Sequence, residues 1–548
     1  MSLVTVCPNI DLNLQHRDIH LISPTAVTVR TWVATSSSNN VATFSMPPPS
    51  TSVFIDRCFM LSLPITVVYT GTTTGSALLE TSKDALRAYP ISSVINNVNL
   101  VLNNISFSFQ TSDYVANMAR FWKESKLSGF PSFMDQYQNY SDGVGAVNNP
   151  LGSYFNAVGL CQPRGGYPMT IVNGATSATL TSTVFEPIFM PPLNRCTGEG
   201  LGFTGIKTID LTINYAANLT RIISHSTNSL ATLTNVVVTL GQPIVYNIYS
   251  SPPLDYVPRP LEYMTDSLNR FVTPVGAPLA PNAVFTMTST NMQLNAVPKW
   301  MLIFCREANS NLTYTSTDTV LNISNLAINF DNVAGQLSSA SEFDLWRLSA
   351  ANGLQSSWEQ WHGTTPNISA GTQLGTIGSY LKLYFGKDIT LKSTVYPGSV
   401  GAFNLQFNIT VKNVNQTQTI QAPQLYVITS TAQKLVMTPD GYGTQILGVA
   451  QEGPTAYIPF DVANKFYGGS FKDWLGKIGH YLQKAHQYVR ENKLVSGSAK
   501  LIPNAMVKTL GEMAEHFGYG EGEGGEGGEG GRMASKSDLM RRIRNARV

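Results

Sequence analysis

The chain has 548 residues and a formal net charge of +2, and charged residues make up only 13% of it. Uncharged polar residues, glycine and proline take their place. This composition favours strands joined by tight turns and argues against a helical bundle, which draws on Lys, Glu and Arg. The small net charge gives no sign that the body of the protein binds nucleic acid or an acidic partner.

Signals for export or membrane insertion are missing from the sequence. The N-terminus lacks a basic segment followed by an apolar one, and no apolar run approaches the about 18 residues of a membrane helix. The cysteines are scattered without a C-x-x-C pair, and we interpret them as reduced core residues. They are Cys7, Cys58, Cys161, Cys196 and Cys305.

The first elements are an N-terminal arm and two strands. Residues 1–40 are polar, with one β-prone piece at Ala26–Trp32, and are expected to form the arm. Strands are expected at Ala42–Met46 and Arg57–Leu63, on either side of a Pro-rich turn.

The next stretch, Asn96–Trp122, is the most informative in the chain. Its apolar residues alternate, which predicts a half-buried strand. A second apolar segment follows, and then Asp113-Tyr114 after a Ser, which predicts a short capped helix.

The second half of the chain repeats these patterns in the same order, so we predict a duplicated domain. The paired residues lie 241 positions apart at the first strands, then 226, 196 and 180 positions apart. The pairs are Phe44 with Phe285, Met60 with Met301, Asn99 with Asn325, Ile209–Asn214 with Leu405–Thr410, and Tyr246 with Tyr426.

The falling offset means that the first copy carries 61 extra residues. Most of them lie in Lys123–Val184, which we expect to protrude, because long loops of compact domains are usually functional surface features. Between the copies, residues 251–281 are predicted to be a Pro-rich linker, since proline at this density excludes a central strand.

The predicted fold is all-β, with two tandem eight-stranded jelly rolls and short helices. The first jelly roll is assigned to residues 41–250 and the second to residues 282–465. A helical and disordered C-terminal extension completes the chain.

In the extension, residues 466–518 are predicted to contain a basic amphipathic helix. This helix would bind the protein body or a partner, or else a membrane surface, because its apolar face is rich in aromatic residues and its other face is basic. Accidental periodicity is the third alternative. The candidate contact residues are Phe471, Trp474, Leu475, Ile478, Tyr481 and Leu482.

Residues 519–548 form a Gly/Glu spacer, which is expected to be disordered, and a basic tail. The tail has a net charge of +5 and suits contact with phosphates of a genome without sequence readout. A solvated terminus or a processing signal is the alternative. Its basic residues are Arg532, Lys536, Arg541, Arg542, Arg544 and Arg547.

No motif predicts a catalytic, cofactor-binding or metal-binding residue. The glycines of Gly200–Gly205 precede a strand, whereas a nucleotide loop must lead into a helix. The histidines form no metal-binding motif. Glycosidases also use β-sandwiches, so a pair of acids brought together by the fold stays an alternative, with Glu186 and Asp388 as examples.

The stretch Ile377–Asn413 resembles part of the coat proteins of Polintons and virophages. The resemblance rests on Lys387-Asp388-Ile389, Pro397-Gly398 and Asn404-Leu405-Gln406. Together with the tandem jelly rolls and the insertion, residues 40–450 resemble the double jelly-roll major capsid proteins, the group that includes adenovirus hexon and the adintovirus lineage.

The resemblance implies a structural protein of the virion, not an enzyme. It implies a homotrimer, packed as pseudo-hexagonal capsomers in an icosahedral shell around DNA. Minor capsid and penton proteins would be partners, and assembly would take place inside the host cell. A fibre or adhesin protein that binds glycans through Lys123–Val184, and the glycosidase, are the alternatives.

Overall fold

The computed structural model describes residues 3–6, 19–22, 26–80, 84–87, 89–122, 169–193, 202–225, 229–253, 260–316, 319–367, 372–392, 395–414 and 419–449. All of them belong to one compact unit, Met1–Val6 together with Ile19–Tyr457. None of the helices in these ranges is long and apolar enough to cross a membrane.

Sixteen strands lie in the described part of the first half. They are β1 Leu3–Val6, β2 Ile19–Ile22, β3 Ala26–Val33, β4 Ser36–Ser37, β5 Val41–Ser45, β6 Phe54–Ile55, β7 Met60–Thr73, β8 Asp84–Leu86, β9 Ile95–Leu102, β10 Ile105–Phe109, β11 Met169–Asn173, β12 Ser177–Pro187, β13 Ile209–Tyr215, β14 Ile223–His225, β15 Ala231–Leu240 and β16 Ile244–Ser251.

Twelve strands lie in the described part of the second half. They are β17 Leu261–Pro274, β18 Val284–Thr288, β19 Met292–Ala296, β20 Trp300–Glu307, β21 Asn322–Phe330, β22 Val333–Gln336, β23 Thr364–Asn367, β24 Thr372–Gly375, β25 Leu381–Tyr384, β26 Val400–Lys412, β27 Pro423–Met437 and β28 Gln445–Val449.

The described helices are short. They are α1 Pro90–Val94, α2 Val115–Met118, α3 Glu342–Ala351 and α4 Trp358–His362, with 3₁₀ turns at Thr111–Asp113, Ala119–Phe121, Leu219–Ile222 and Asn309–Asn311.

Each half forms a jelly roll. In the first, one sheet has the order β3-β16-β7-β12 and the other the order β5-β13-β9-β10, so the first of these eight strands lies beside the last. The second half repeats both orders, as β17-β27-β20-β25 and β18-β26-β21-β22. The remaining strands extend these sheets or form small two-stranded sheets. The predicted double jelly roll is therefore confirmed.

The repeated motif has the predicted local structure. On β9 and β21 the alternating apolar residues face the core, and Val98, Leu100, Leu326 and Ile328 are fully buried. A hairpin and a helical segment follow in both copies. Helix α3 begins with a capping box, in which the Ser341 hydroxyl accepts from the Asp344 amide, 3.2 Å away.

The predicted arm and the predicted linker each contain a jelly-roll strand that the sequence analysis did not predict. Strand β3 lies in the arm and β17 lies in the linker, and each is the first strand of its jelly roll, paired with the last one. Both lie at one end of their four-strand order, where proline and polar residues are tolerated. Seven of the eight residues of β3 are exposed, so the strand carries no alternating burial signal.

The predicted protrusion, Lys123–Val184, extends too far toward the C-terminus. Residues 169–184 include β11 and much of β12, which belong to the first jelly roll. Residues 123–168 lie outside the described ranges.

The predicted correspondence of Met60 with Met301 between the two repeats was also wrong. Tyr246 and Tyr426 correspond, and the cross-strand partner of Tyr246 is Met60, whereas that of Tyr426 is Phe304. Met301 faces the core instead.

Candidate functional site: the contact between the two jelly rolls

The segment Thr111–Trp122, which follows β10, lies on the outer face of the second jelly roll. That face belongs to the sheet β17-β27-β20-β25. On β20, Trp300 and Arg306 point toward the segment and contact Tyr114 and Asp113. Every residue of β20 except the last is buried, because one face packs in the sandwich and the other against this segment.

Asp113 is the electrostatic centre of the contact. Its side chain is fully buried and forms ion pairs with Arg306 and Arg270, from β20 and β17. The Asn309 amide donates to Asp113 Oδ1 over 2.7 Å. Burial alone would lower the pKa of the Arg306 guanidinium, but the charge of Asp113 raises it above its ordinary value. The Arg306 guanidinium is thus held in its charged form.

Aromatic rings surround this ion cluster. Tyr114 stacks on Phe189 with 4.5 Å between ring centroids, and Trp300 of the second half lies 6.5 Å from Tyr114. Burial, together with the charge of Asp266, raises the pKa of Tyr114 well above its usual range. Below them, the Arg306 guanidinium lies 5.2 Å from the centroid of Tyr426.

Further hydrogen bonds join the halves. The Tyr380 hydroxyl donates to Asn117 Oδ1 over 2.9 Å, and Asn103 Nδ2 donates to Thr444 Oγ1 over 2.6 Å. The Tyr263 hydroxyl donates to the Gly202 carbonyl over 3.0 Å. These polar contacts have specific geometry and lie at separate places, so they fix the orientation of one sandwich against the other.

The two acids given above as examples, Glu186 and Asp388, serve as hydrogen-bond acceptors in the structure. Glu186 is buried and accepts from the amides of Ile91 and Ser92 and from the Ser92 hydroxyl, over 2.6–2.9 Å. Burial raises the pKa of Glu186 to about 7, against the effect of these hydrogen bonds. Asp388 accepts from the Tyr384 amide and from Asn352. Both acids brace local backbone or side chains.

Within the described ranges, no group of three His, Cys, Asp or Glu side chains is arranged to hold a metal ion. The free cysteines there are Cys58 and Cys305, and burial raises the pKa of the Cys305 thiol. The two predicted C-terminal sites, the helix around Phe471 and the tail from Arg532, lie outside the described ranges.

Sequence reasoning missed the role of Asp113. We interpreted it as part of a helix start, because its position in the repeated motif matches that of Glu342. No local pattern marks it as an ion-pair partner, since Arg270 and Arg306 both lie in the other half of the chain.

Both halves of the chain match models of capsid protein domains. The model described as the Sputnik virophage major capsid protein 1st domain matches residues 21–248. The model described as the major capsid protein V20 C-terminal domain matches residues 268–432.

The chain is also similar to whole proteins. It is 31% identical to the putative capsid protein V20 of Sputnik virophage over 554 residues, which cover 94% of this chain and 92% of the relative. The cryo-EM structure of the Sputnik virophage aligns with a TM-score of 0.71 at 30% identity, over 82% of this chain and 93% of that chain. The crystal structure of the mavirus major capsid protein aligns with a TM-score of 0.62 at 16% identity, over 77% and 90%, and shares the fold.

Proposed function

The chain belongs to the family of the Sputnik virophage major capsid protein, and we propose from this premise that three copies form one capsomer. It is a viral major capsid protein, and its place is the capsid of the virion. The resemblance seen in Ile377–Asn413 is thereby confirmed. Self-assembly into a capsid lattice follows from the same relationship.

The observation that supports the proposed trimer is the fixed pairing of two similar sandwiches in one chain. The polar and aromatic contacts around Asp113 fix one jelly roll against the other. Three such chains place six jelly rolls around one axis, which gives a nearly hexagonal unit that tiles a shell. We propose an icosahedral shell of these units around a DNA genome, with minor capsid and penton proteins as partners and with no enzymatic activity.

The test is assembly of the full chain. Purified protein should have the mass of three chains by light scattering, and micrographs should show shells or hexagonal sheets. A strict monomer at all concentrations would contradict the trimer. Turnover of a polysaccharide panel, abolished by a single Asp or Glu change in a variant that stays folded, would instead favour the glycosidase.

We propose that the basic tail contacts the packaged genome. A single tail with a net charge of +5 would bind DNA weakly, but many tails inside one shell would bind the same genome at once and so hold it firmly. Ending the chain at Gly531 should lower the packaged DNA while trimers form as before, as measured by the nucleic acid content of purified particles. Unchanged DNA content would retire the proposal. The helix around Phe471 stays a prediction of a partner-binding or membrane-binding element.

A further inference from the structure

The duplication gives each component of the contact between the halves a second copy. One component is the segment after the fifth jelly-roll strand, Thr111–Trp122, and its repeat is Glu342–His362. The other component is the outer sheet face that this segment covers, and its repeat is the outer face of β3-β16-β7-β12. Inside the chain, the first segment covers the second face. The second segment is joined to the first through Gln355, which donates to the carbonyls of Arg120 and Trp122. Its Phe343 is nevertheless exposed, and so are valines of the first face.

The second segment carries an aromatic surface, in which Phe343 is exposed and Trp346 and Trp358 are half-buried. Phe343, Trp346 and Trp358 form it, with ring centroids 5.2–6.0 Å apart. Phe343 holds the place of Tyr114 in the repeat, but Tyr114 is 5% exposed and Phe343 is 46% exposed. The residue that anchors the contact in one copy therefore faces solvent in the other.

The outer face of the first jelly roll matches this surface in character. On its four strands the outward positions, which alternate with the buried ones, carry only Val, Ile, Thr, Ser, Tyr, Phe, Met and Pro. Val27, Val29 and Val33 are 62%, 63% and 52% exposed, and Ile248 is 40% exposed. A broad sheet face without charge, ending in an exposed apolar strand, is a surface that proteins normally cover.

The register of the strands places the two faces in correspondence. Ile248 on β16 pairs with Val29 on β3, and Ile428 on β27 pairs with Arg270 on β17. Because Tyr246 corresponds to Tyr426, Ile248 corresponds to Ile428, and Val29 holds the place of Arg270. Arg270 is the partner of Asp113, whose repeat is Glu342.

We propose that the aromatic surface of one copy binds the outer face of the first jelly roll of a second copy. The occupant is another copy of this chain because the contact inside the chain already joins the repeats of both surfaces. The contact is heterologous, with different surfaces on the two partners, so three copies can close into a ring. The inference rests on the proposed trimer, and it names the surfaces that build the trimer.

The first test places a charge in the outer face. Val29→Glu should weaken association by at least about thirtyfold, the effect of losing a central contact. Val29→Arg should be less damaging, because the side chain would lie beside the acidic helix start with Glu342 and Asp344. The matched control is Val284→Glu, at a strand position with 60% exposure beside Lys412, which should leave the trimer unchanged. The thermal midpoint of each variant checks that the fold is intact.

The second test uses two variants in one mixture. Phe343→Glu disrupts the aromatic surface and Val29→Glu disrupts the sheet face. Each contact needs both surfaces, so each variant alone should be monomeric by light scattering. Mixed in equal amounts, they keep one good surface each and should form pairs of two chains but no trimers.

The outcomes separate this inference from the proposed function. If both variants stay trimeric, or if the mixture stays monomeric while each variant is folded, the assigned surfaces are wrong although the trimer stands. If the unmodified chain is itself a monomer, the proposed trimer fails, and this inference fails with it.

Discussion

Replacing Asp113 by Ala should lower the free energy of unfolding by about 3–5 kcal/mol, the usual cost of leaving a buried charge without its partner. Arg306 lies almost entirely inside the protein, and with Asp113 removed its charge has no carboxylate in this cluster. Arg270 loses the same partner, which it holds through an ion pair with Oδ2 rather than through an aligned hydrogen bond. Guanidinium unfolding monitored by fluorescence measures the change.

The matched control is Glu262→Ala. Glu262 pairs with Lys434 over 3.0 Å at the surface, where the glutamate side chain is 49% exposed, so its loss should cost less than about 1 kcal/mol. A combined Asp113→Leu and Arg306→Met variant should be more stable than Asp113→Ala, because no unpaired Arg306 charge remains in the core. Equal effects of Asp113→Ala and Glu262→Ala would mean that the buried ion pair is worth no more than a surface one.

Gly205→Ala should destabilise the protein by more than about 4 kcal/mol. Gly205 has φ +73°, and a Cβ atom there would lie 2.1 Å from the carbonyl oxygen of Thr438 in the second jelly roll. Both the backbone conformation and the close approach of two backbones require glycine. Relief of the clash would have to push the two jelly rolls apart. Chemical unfolding measures the loss of stability.

Gly276→Ala separates the two causes. Gly276 has a similar φ of +89°, but a Cβ atom there would meet nothing within 4 Å, so only the backbone strain of about 1–2 kcal/mol applies. If Gly205→Ala costs no more than Gly276→Ala, the close approach to Thr438 does not constrain the contact between the jelly rolls.

The fold was largely predictable because the two copies support each other. Strand β9 alternates between apolar and polar residues, and the same pattern returns at β21, so even a short unit indicated a duplicated sandwich. The first strand of each jelly roll was missed, since β3 is exposed on both faces and β17 carries prolines around it. Edge strands lack the burial pattern on which the prediction depends.

The contact between the halves was not predictable from one sequence. Asp113 and Arg306 are separated by 193 positions, and nothing local to either residue marks the other. The three-residue error in the pairing of Met301 shows the same limit, because a slip by an odd number of positions exchanges the core face of a strand for the outer face. Only the strand register revealed which residues of β20 face the first jelly roll.

The pairing of first and last strands in each jelly roll sets an order of events during synthesis. The β3–β16 pairing joins Ala26 to Ser251, so the first sandwich cannot close until nearly half of the chain has left the ribosome. At that moment Asp113 and its aromatic neighbours have no second sheet to cover, because β17, β20 and β27 have not yet emerged from the ribosome. The nascent first domain therefore exposes an aromatic surface until about 180 further residues have emerged. This takes roughly ten to forty seconds at common translation rates. Chaperone protection is most valuable in that interval.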